Sequence, residues 1–211
     1  MKTALKIVGV LVALIVVLAA GVYIWASLKV NRLRAQTFDP QLVDFPIPFP
    51  IDPAEVSAMG LTDDQARQLA DERAVARGKH LVEARYTCTA CHGANFGGGV
   101  MVDSDLVGHL LAPNLTLGAG SRTANFQARD WDRIVRHGVR KDGHPAVMPA
   151  EDFQYMSDQE LSDIVSYIRS LPPVNNTVPQ STFGQLGKIL AATGKMTFSA
   201  GKIASHPAPH L

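Results

Sequence analysis

Cysteine is close to absent from this chain: 211 residues hold two. A structural zinc site takes four ligands, usually several of them thiolates, so the donors for one are too few. Nor do the two sit in the strand-to-helix pattern that redox dithiols use. Acidic residues are missing from both ends. Residues 1–34 carry five Lys/Arg and no Asp/Glu, and residues 174–211 carry Lys188, Lys195 and Lys202 and no acid. All nineteen acids lie in 35–173 beside twelve Lys/Arg, a local balance of −7 hidden within an overall charge of +1. No basic stripe of the nucleic-acid-binding kind is present. The acidic middle serves solubility or steers a basic partner. The stretch from Gly93 to Gly99 lacks the Lys-Ser/Thr pair and the leading strand of a phosphate loop. Charge of either sign is absent from Ile7 to Ala26.

That uncharged run is the first thing the chain does contain. About twenty apolar residues cross a bilayer core as one helix. Lys2 and Lys6 precede the run, Lys29, Arg32 and Arg34 follow it, and Tyr23 and Trp25 lie near its end, where interfacial aromatics sit. A cleaved secretory signal is the competing reading. The run is longer than a usual signal core, and Ile24 occupies the −3 position before Ala26, so an uncleaved anchor over residues 1–34 is favoured. Each flank brings three positive charges, the α-amino group included, and charge alone leaves the orientation open. Thr37 to Pro53 then holds Pro40, Pro46, Pro48, Pro50 and Pro53. Proline at this density favours stiff, extended backbone, and residues 35–60 are expected to be a spacer that lifts the following domain off the membrane. A proline-rich ligand for a binding module is the lesser reading.

The two cysteines are Cys88 and Cys91, and His92 follows at once. Thiols three positions apart with an adjacent histidine form the attachment motif of haem c: two thioethers to one macrocycle and an imidazole for its iron. Helical signals flank the motif. Thr62-Asp63-Asp64-Gln65 has the form of a capping box, and apolar spacing continues to about Arg85. Gly78 lies inside that helix at a cost of about 1 kcal/mol against alanine, which points to a close contact with a helix near the C-terminus. Ser157-Asp158-Gln159-Glu160 is a second capping box, and Leu171-Pro172-Pro173 ends the helix it opens. Tyr167 on that helix is the expected neighbour of Gly78. The glycines after His92 suit backbone running close past a flat cofactor, with a flexible linker as the alternative. A short amphipathic helix is expected over 127–137, with Gly138 as its C-cap. Its Trp131 is a candidate wall of the cofactor site. Arg136 is a candidate partner for a haem propionate, or else a solvated arginine.

A haem iron bound by histidine has a second axial position. A thioether suits it and raises the reduction potential. Of six methionines, Met148 is the best placed: Pro149 stiffens its loop, and the final helix follows closely. The Pro113 carbonyl is a candidate acceptor for the Nδ1–H of His92, a bond that fixes ring orientation and basicity. Asn114-Leu115-Thr116 also fits a glycosylation sequon. The tail over 174–211 is basic, with Leu186, Ile189 and Leu190 as a small apolar cluster. It is expected to wrap the domain, touch lipid headgroups or touch a partner. His206 and His210, alone in a polar terminus, carry little weight as metal ligands.

The order helix, CxxCH, Ala-Pro-Asn-Leu-Thr, Val-Met-Pro, and a capped final helix with an aromatic resembles the class I c-type cytochromes over about residues 76–173. The segments "VRHGV", "VMPAEDF" and "SDQELSDIVSYIRSLPPV" look more like the cytochrome subunits that accompany bacterial membrane dehydrogenases. The resemblance implies an all-α cytochrome c domain over 61–173, with long loops around one covalently bound haem c. It also implies thioethers at Cys88 and Cys91, axial His92 and Met148, and the Pro113 contact. It implies an electron carrier, not an enzyme, whose partners are redox proteins: a dehydrogenase, an oxidase or a cytochrome complex. In such families haem is attached outside the cytoplasm, so the domain would lie on the periplasmic side of a bacterial cytoplasmic membrane. A stable subunit of a larger complex, and a haem enzyme or sensor with a labile methionine, are the rival readings.

Overall fold

The uncharged run forms part of one long helix, α1 (Lys2–Ala35), in the computed structural model, which describes residues 2–196 and 198–203. Thirty-four residues at 1.5 Å each reach about 50 Å, more than a bilayer core requires. Nearly all of α1 is exposed; only Ala26 and Val30 are buried. Further along come α2 (Pro53–Met59), α3 (Asp63–His80), α4 (Thr89–His92), α5 (Ala128–Val135), α6 (Asp158–Ser170) and α7 (Gln185–Ala192). Three short strands join them: β1 (Gly99–Ser104), β2 (Gly108–Ala112) and β3 (Thr182–Phe183). They pair antiparallel in the order β1-β2-β3, with a bulge between Val100 and Val102. The fold is mostly helical, and this small sheet is an addition to the all-α expectation.

Both capping boxes form. Thr62 accepts from the Gln65 N–H at 3.3 Å while Gln65 Oε1 accepts from Thr62 N at 2.9 Å, so α3 begins at Asp63. Ser157 and Glu160 do the same for α6. The two helices then pack face to face. A Cβ at Gly78 would collide with the Asp163 carbonyl and lie 2.8 Å from Tyr167 Cβ, so only glycine lets the backbones meet there. A two-pronged ion pair braces the crossing: Arg77 Nε and Nη2 lie 2.6 and 2.8 Å from the carboxylate of buried Asp163. Val82, Phe96, Trp131, Leu161 and Val165 form the core around this pair of helices.

The segment expected to be a free spacer is part of the domain. Phe45 is buried in the main core, with Ile47 and Phe49 packed beside it. The Val43 N–H donates to Asp132 at 2.8 Å, and Ser162 Oγ donates to the Pro46 carbonyl at 2.7 Å. Proline kept the backbone extended, but the apolar residues between the prolines made it a strap across α5 and α6. Residues 53–59 add the helix α2, capped by Asp52.

The tail wraps the domain and then reaches the long helix. Asn176 Nδ2 donates to the Gly97 carbonyl at 2.7 Å, and Ser181 bonds both polar groups of Leu111. Ala191 and Ala192 of α7 bury Ala26 and Val30 of α1, while Lys188 donates to the Tyr23 hydroxyl at 3.0 Å and lies over its ring. His206 and His210 lie outside the described residues.

Candidate haem site

Helix α3 continues into a wider π turn over Leu81–Arg85 that ends at Tyr86. The chain then reverses through Thr87, whose φ is 47°, into the single turn of α4. His92 N bonds back to the Cys88 carbonyl at 3.0 Å, which brings both thiols and the imidazole to one wall. Cys88 and Cys91 are both half-buried and not joined to each other. Burial pushes the Cys88 thiol up to about 11, the opposite of an activated redox dithiol. His92 donates Nδ1–H to the Pro113 carbonyl at 3.1 Å, which leaves Nε2 for another ligand. Burial pulls the imidazole below its ordinary range, and the Pro113 bond opposes that pull.

Asn114 explains the next residues. It is fully buried, donates to the Val174 carbonyl at 2.6 Å, and accepts from Thr116 N and Oγ1 at 3.0 and 2.8 Å. The triplet that fits a sequon is therefore an internal brace beside Pro113, closed to glycosylation. The glycine run also has a reason other than the expected one. A Cβ at Gly99 would strike the Cys91 carbonyl, and one at Gly97 would lie 2.5 Å from Val174 Cγ1. These glycines admit the protein's own backbone and tail.

The thiols and His92 face a cavity of about 750 Å³, within the range of cofactor sites. Pro113, Trp131 and Met148 line it too. Five of the six residues singled out with the haem motif therefore share one space with Cys88: Cys91, His92, Pro113, Trp131 and Met148. The donor set there is an imidazole and a soft thioether among apolar and aromatic walls. Trp131 packs edge-on to Phe126 with centroids 5.5 Å apart. Its Nε1–H is buried without a partner, and a buried orphan donor in this wall suits a carboxylate of the bound group. Haem, with its vinyl groups, iron and propionates, fits these residues.

Arg136 is the exception. It is 1% exposed and does not line the cavity. Its guanidinium lies 2.8 Å from Asp132 and 2.7 Å from Asp158, and over the Phe45 ring. Neither the propionate reading nor the solvated reading holds: Asp132 of α5, four positions earlier, and Asp158 of α6 claim it. The cations that do line the cavity are Arg34, Arg85, Arg122, Arg140 and Lys141. Sequence reasoning missed them. Arg34 belongs to the end of α1, and nothing local in the sequence places it beside the haem motif.

Residues 75–172 match the family model for cytochrome c. The chain is 31% identical over 119 residues to the gluconate 2-dehydrogenase cytochrome c subunit of Pantoea cypripedii, covering 53% of this chain and 25% of that one. It is 28% identical over 116 residues to the fructose dehydrogenase cytochrome subunit of Gluconobacter japonicus, covering 51% and 23%. It is 30% identical over 107 residues to the cytochrome c subunit of the quinone alcohol dehydrogenase of Gluconobacter oxydans, covering 47% and 22%. The chain thus spans about a quarter of the length of these curated relatives. The matched region is a class I cytochrome c domain that resembles them, and its cofactor is covalently bound haem c.

Proposed function

From a cytochrome c domain over residues 75–172, we propose that the chain is a membrane-tethered, single-haem electron carrier. The observation that carries this reading is the gathering of two thiols, an imidazole and a thioether in the wall of one apolar cavity. Cys88 and Cys91 would hold the haem through thioethers, and His92 and Met148 would ligate its iron. Bound there, the haem supplies one-electron chemistry between ferric and ferrous iron. The chain's residues set the terms. Pro113 orients the His92 ring and keeps Nδ1 protonated. Trp131, Phe126, Leu161 and Ile164 exclude water and lower the local dielectric. Met148 favours the ferrous state. With His92 and Met148 both ligating, the protein would leave the iron no open site for a substrate, and its role would be transfer.

In this reading α1 is a retained single-pass anchor in a bacterial cytoplasmic membrane, with the haem domain on the periplasmic side. The contact of α7 with Ala26 and Val30 supports retention, because cleavage near Ala26 would remove half of it. The unit that folds around the haem is residues 36–203, strap and tail included, a revision of the 61–173 boundary. Electrons would come from a membrane dehydrogenase and leave to a respiratory acceptor. That the named relatives are dehydrogenase subunits favours a second form of the reading, in which the chain is a fixed subunit of such a complex.

The test is to mature the full chain in a host that attaches haem c and to record its spectrum. The expected result is one haem per chain that survives denaturing electrophoresis. The ferric protein should be low-spin, with the long-wavelength methionine-to-iron charge-transfer band. High-spin ferric iron without that band would favour the haem enzyme or ligand sensor with a labile Met148. Co-purification from native membranes then separates a mobile carrier from a subunit.

A further inference from the structure

Met148 stands in a loop with little support of its own. Between the isolated bridge at Val139–Pro145 and the 3₁₀ turn at Ala150–Asp152, the chain forms no regular element. The nearby backbone bond within the loop is the tight one from Ala150 N to the Met148 carbonyl, at 2.8 Å. A ligand on such a loop leaves its iron as easily as the loop opens.

Support comes from the far end of the chain. Ser199 is 1% exposed and sits at the start of a 3₁₀ turn over Ser199–Gly201. Its hydroxyl donates to the carbonyl of Met148 and accepts from Ala150 N–H at 3.0 Å. One side chain therefore clamps the backbone on both sides of Pro149. Ala150, Ala200 and Ile203 are buried around it, and Lys202 closes the rim with Glu151 at 2.9 Å. Phe198, next to Ser199, lines the same cavity as Met148 and packs on Phe183 of β3 with centroids 6.0 Å apart. This stretch is also tied at its other end, where α7 lies against α1.

We propose that Ser199 is a positioning residue for the ligand methionine, and that residues 183–196 and 198–203 form a strut holding the ligand loop shut. The proposal rests on Met148 being an iron ligand. The strut does not touch the iron. It acts by making the Met148 loop costly to open, and so decides how readily an outside ligand displaces the thioether. A hydroxyl at 199 bonds a buried donor and a buried acceptor at once, and alanine would leave them just the tight turn bond to each other.

The experiment uses the full-length, haem-loaded protein in the ferric state, titrated with imidazole while the charge-transfer band is followed. Ser199→Ala should bind imidazole about tenfold more tightly than the wild type, the effect of losing roughly one net hydrogen bond to the closed loop. Ser199→Thr, which keeps the hydroxyl, should stay within about threefold of wild type. Ser181→Ala is the control: it cuts the tail from Leu111 but leaves the Met148 loop untouched, and should not change imidazole affinity. Wild-type-like affinity in Ser199→Ala overturns the proposal. So does an equal rise in Ser181→Ala, which would mean general loosening of the tail, or in Ser199→Thr, which would mean packing and not the hydroxyl. A wild-type protein without the band overturns Met148 ligation itself, and the strut with it, so the two failures are distinct.

Discussion

His92 sits in a turn of adjacent residues, whereas Met148 sits in a loop with no regular element of its own. The imidazole belongs to a turn closed by Cys88, and its Nδ1 partner Pro113 is braced by Asn114 in the next position. The thioether belongs to a loop whose clamp, Ser199, lies 51 positions on. The turn is local, although the brace behind Pro113 also reaches the tail, at Val174. Remote geometry depends on the tail reaching its place and staying there. The difference teaches that the two ligand residues lean on different parts of the tail, His92 on Val174 through Asn114 and Met148 on Ser199, and need not fail together.

Four substitutions would break or sharpen that contrast. The largest effect is expected at Gly78, because both sides of the cavity rest on the crossing of α3 and α6. Gly78→Leu must force the backbones apart and should destabilise the holoprotein by about 3 kcal/mol or more in a urea titration. A wild-type midpoint would show that the crossing is dispensable. Asn114→Ala comes next and probes the histidine side alone. It leaves the Thr116 N–H unpaired and the Val174 carbonyl with just the 3.4 Å bond from Thr116 Oγ1, and should cost about 2 kcal/mol. The charge-transfer band should persist; its loss would show that the two sides are coupled. Met148→Leu probes the other side. The swap is close in volume, so stability should change by less than about 1.5 kcal/mol, yet the band should vanish and the reduction potential fall. Redox titration beside the spectrum checks both.

The smallest effect is expected at Glu160, in the capping box of α6. Burial works against its ionised form, but the Ser157 N–H, the Tyr86 and Ser157 hydroxyls and Arg85 outweigh it and hold the carboxyl below its ordinary range. A carboxyl lowered in the folded state contributes stability above its unfolded value, and that contribution is lost as pH falls through the folded value. Glu160→Gln should therefore lower stability slightly at neutral pH, by under about 1 kcal/mol, and flatten the acid limb of the stability profile. Equal slopes for both proteins in acid would remove Glu160 from the account.

Features that are local in sequence were legible in it. Cys88, Cys91 and His92 announce a haem by spacing alone, and both capping boxes mark helix starts within four residues. Gly78 and Tyr167 paired because a glycine inside a helix needs a packing reason and the final helix offered a bulky one. Pro113 and Met148 could be placed because each is a stiff point in a loop after a strong motif. What escaped the sequence depends on contacts across the chain. The strap over 36–52 was taken for a spacer because its prolines spoke louder than Phe45, Ile47 and Phe49, whose alternate spacing was the available signal. Arg136 had a local signal in Asp132, four positions earlier, but its second partner, Asp158, belongs to α6 and was not legible. The sheet needed β3, more than seventy residues after β2 begins, and Ser199 carried no local mark at all.

The contact between α7 and α1 bears on how such a domain would search for partners. A domain on a flexible leash samples a hemisphere set by linker length, and its local concentration falls as that length grows. Here the leash is taken up: the strap lies along the core, and α7 bolts the domain to the helix beside Tyr23, Ala26 and Val30. For a helix that crosses a bilayer, the haem would then travel at one height and tilt, free to move only sideways and to spin about the membrane normal. Such a carrier meets its partners as a piece slides across a board, so they must present their own redox centres at a matching level.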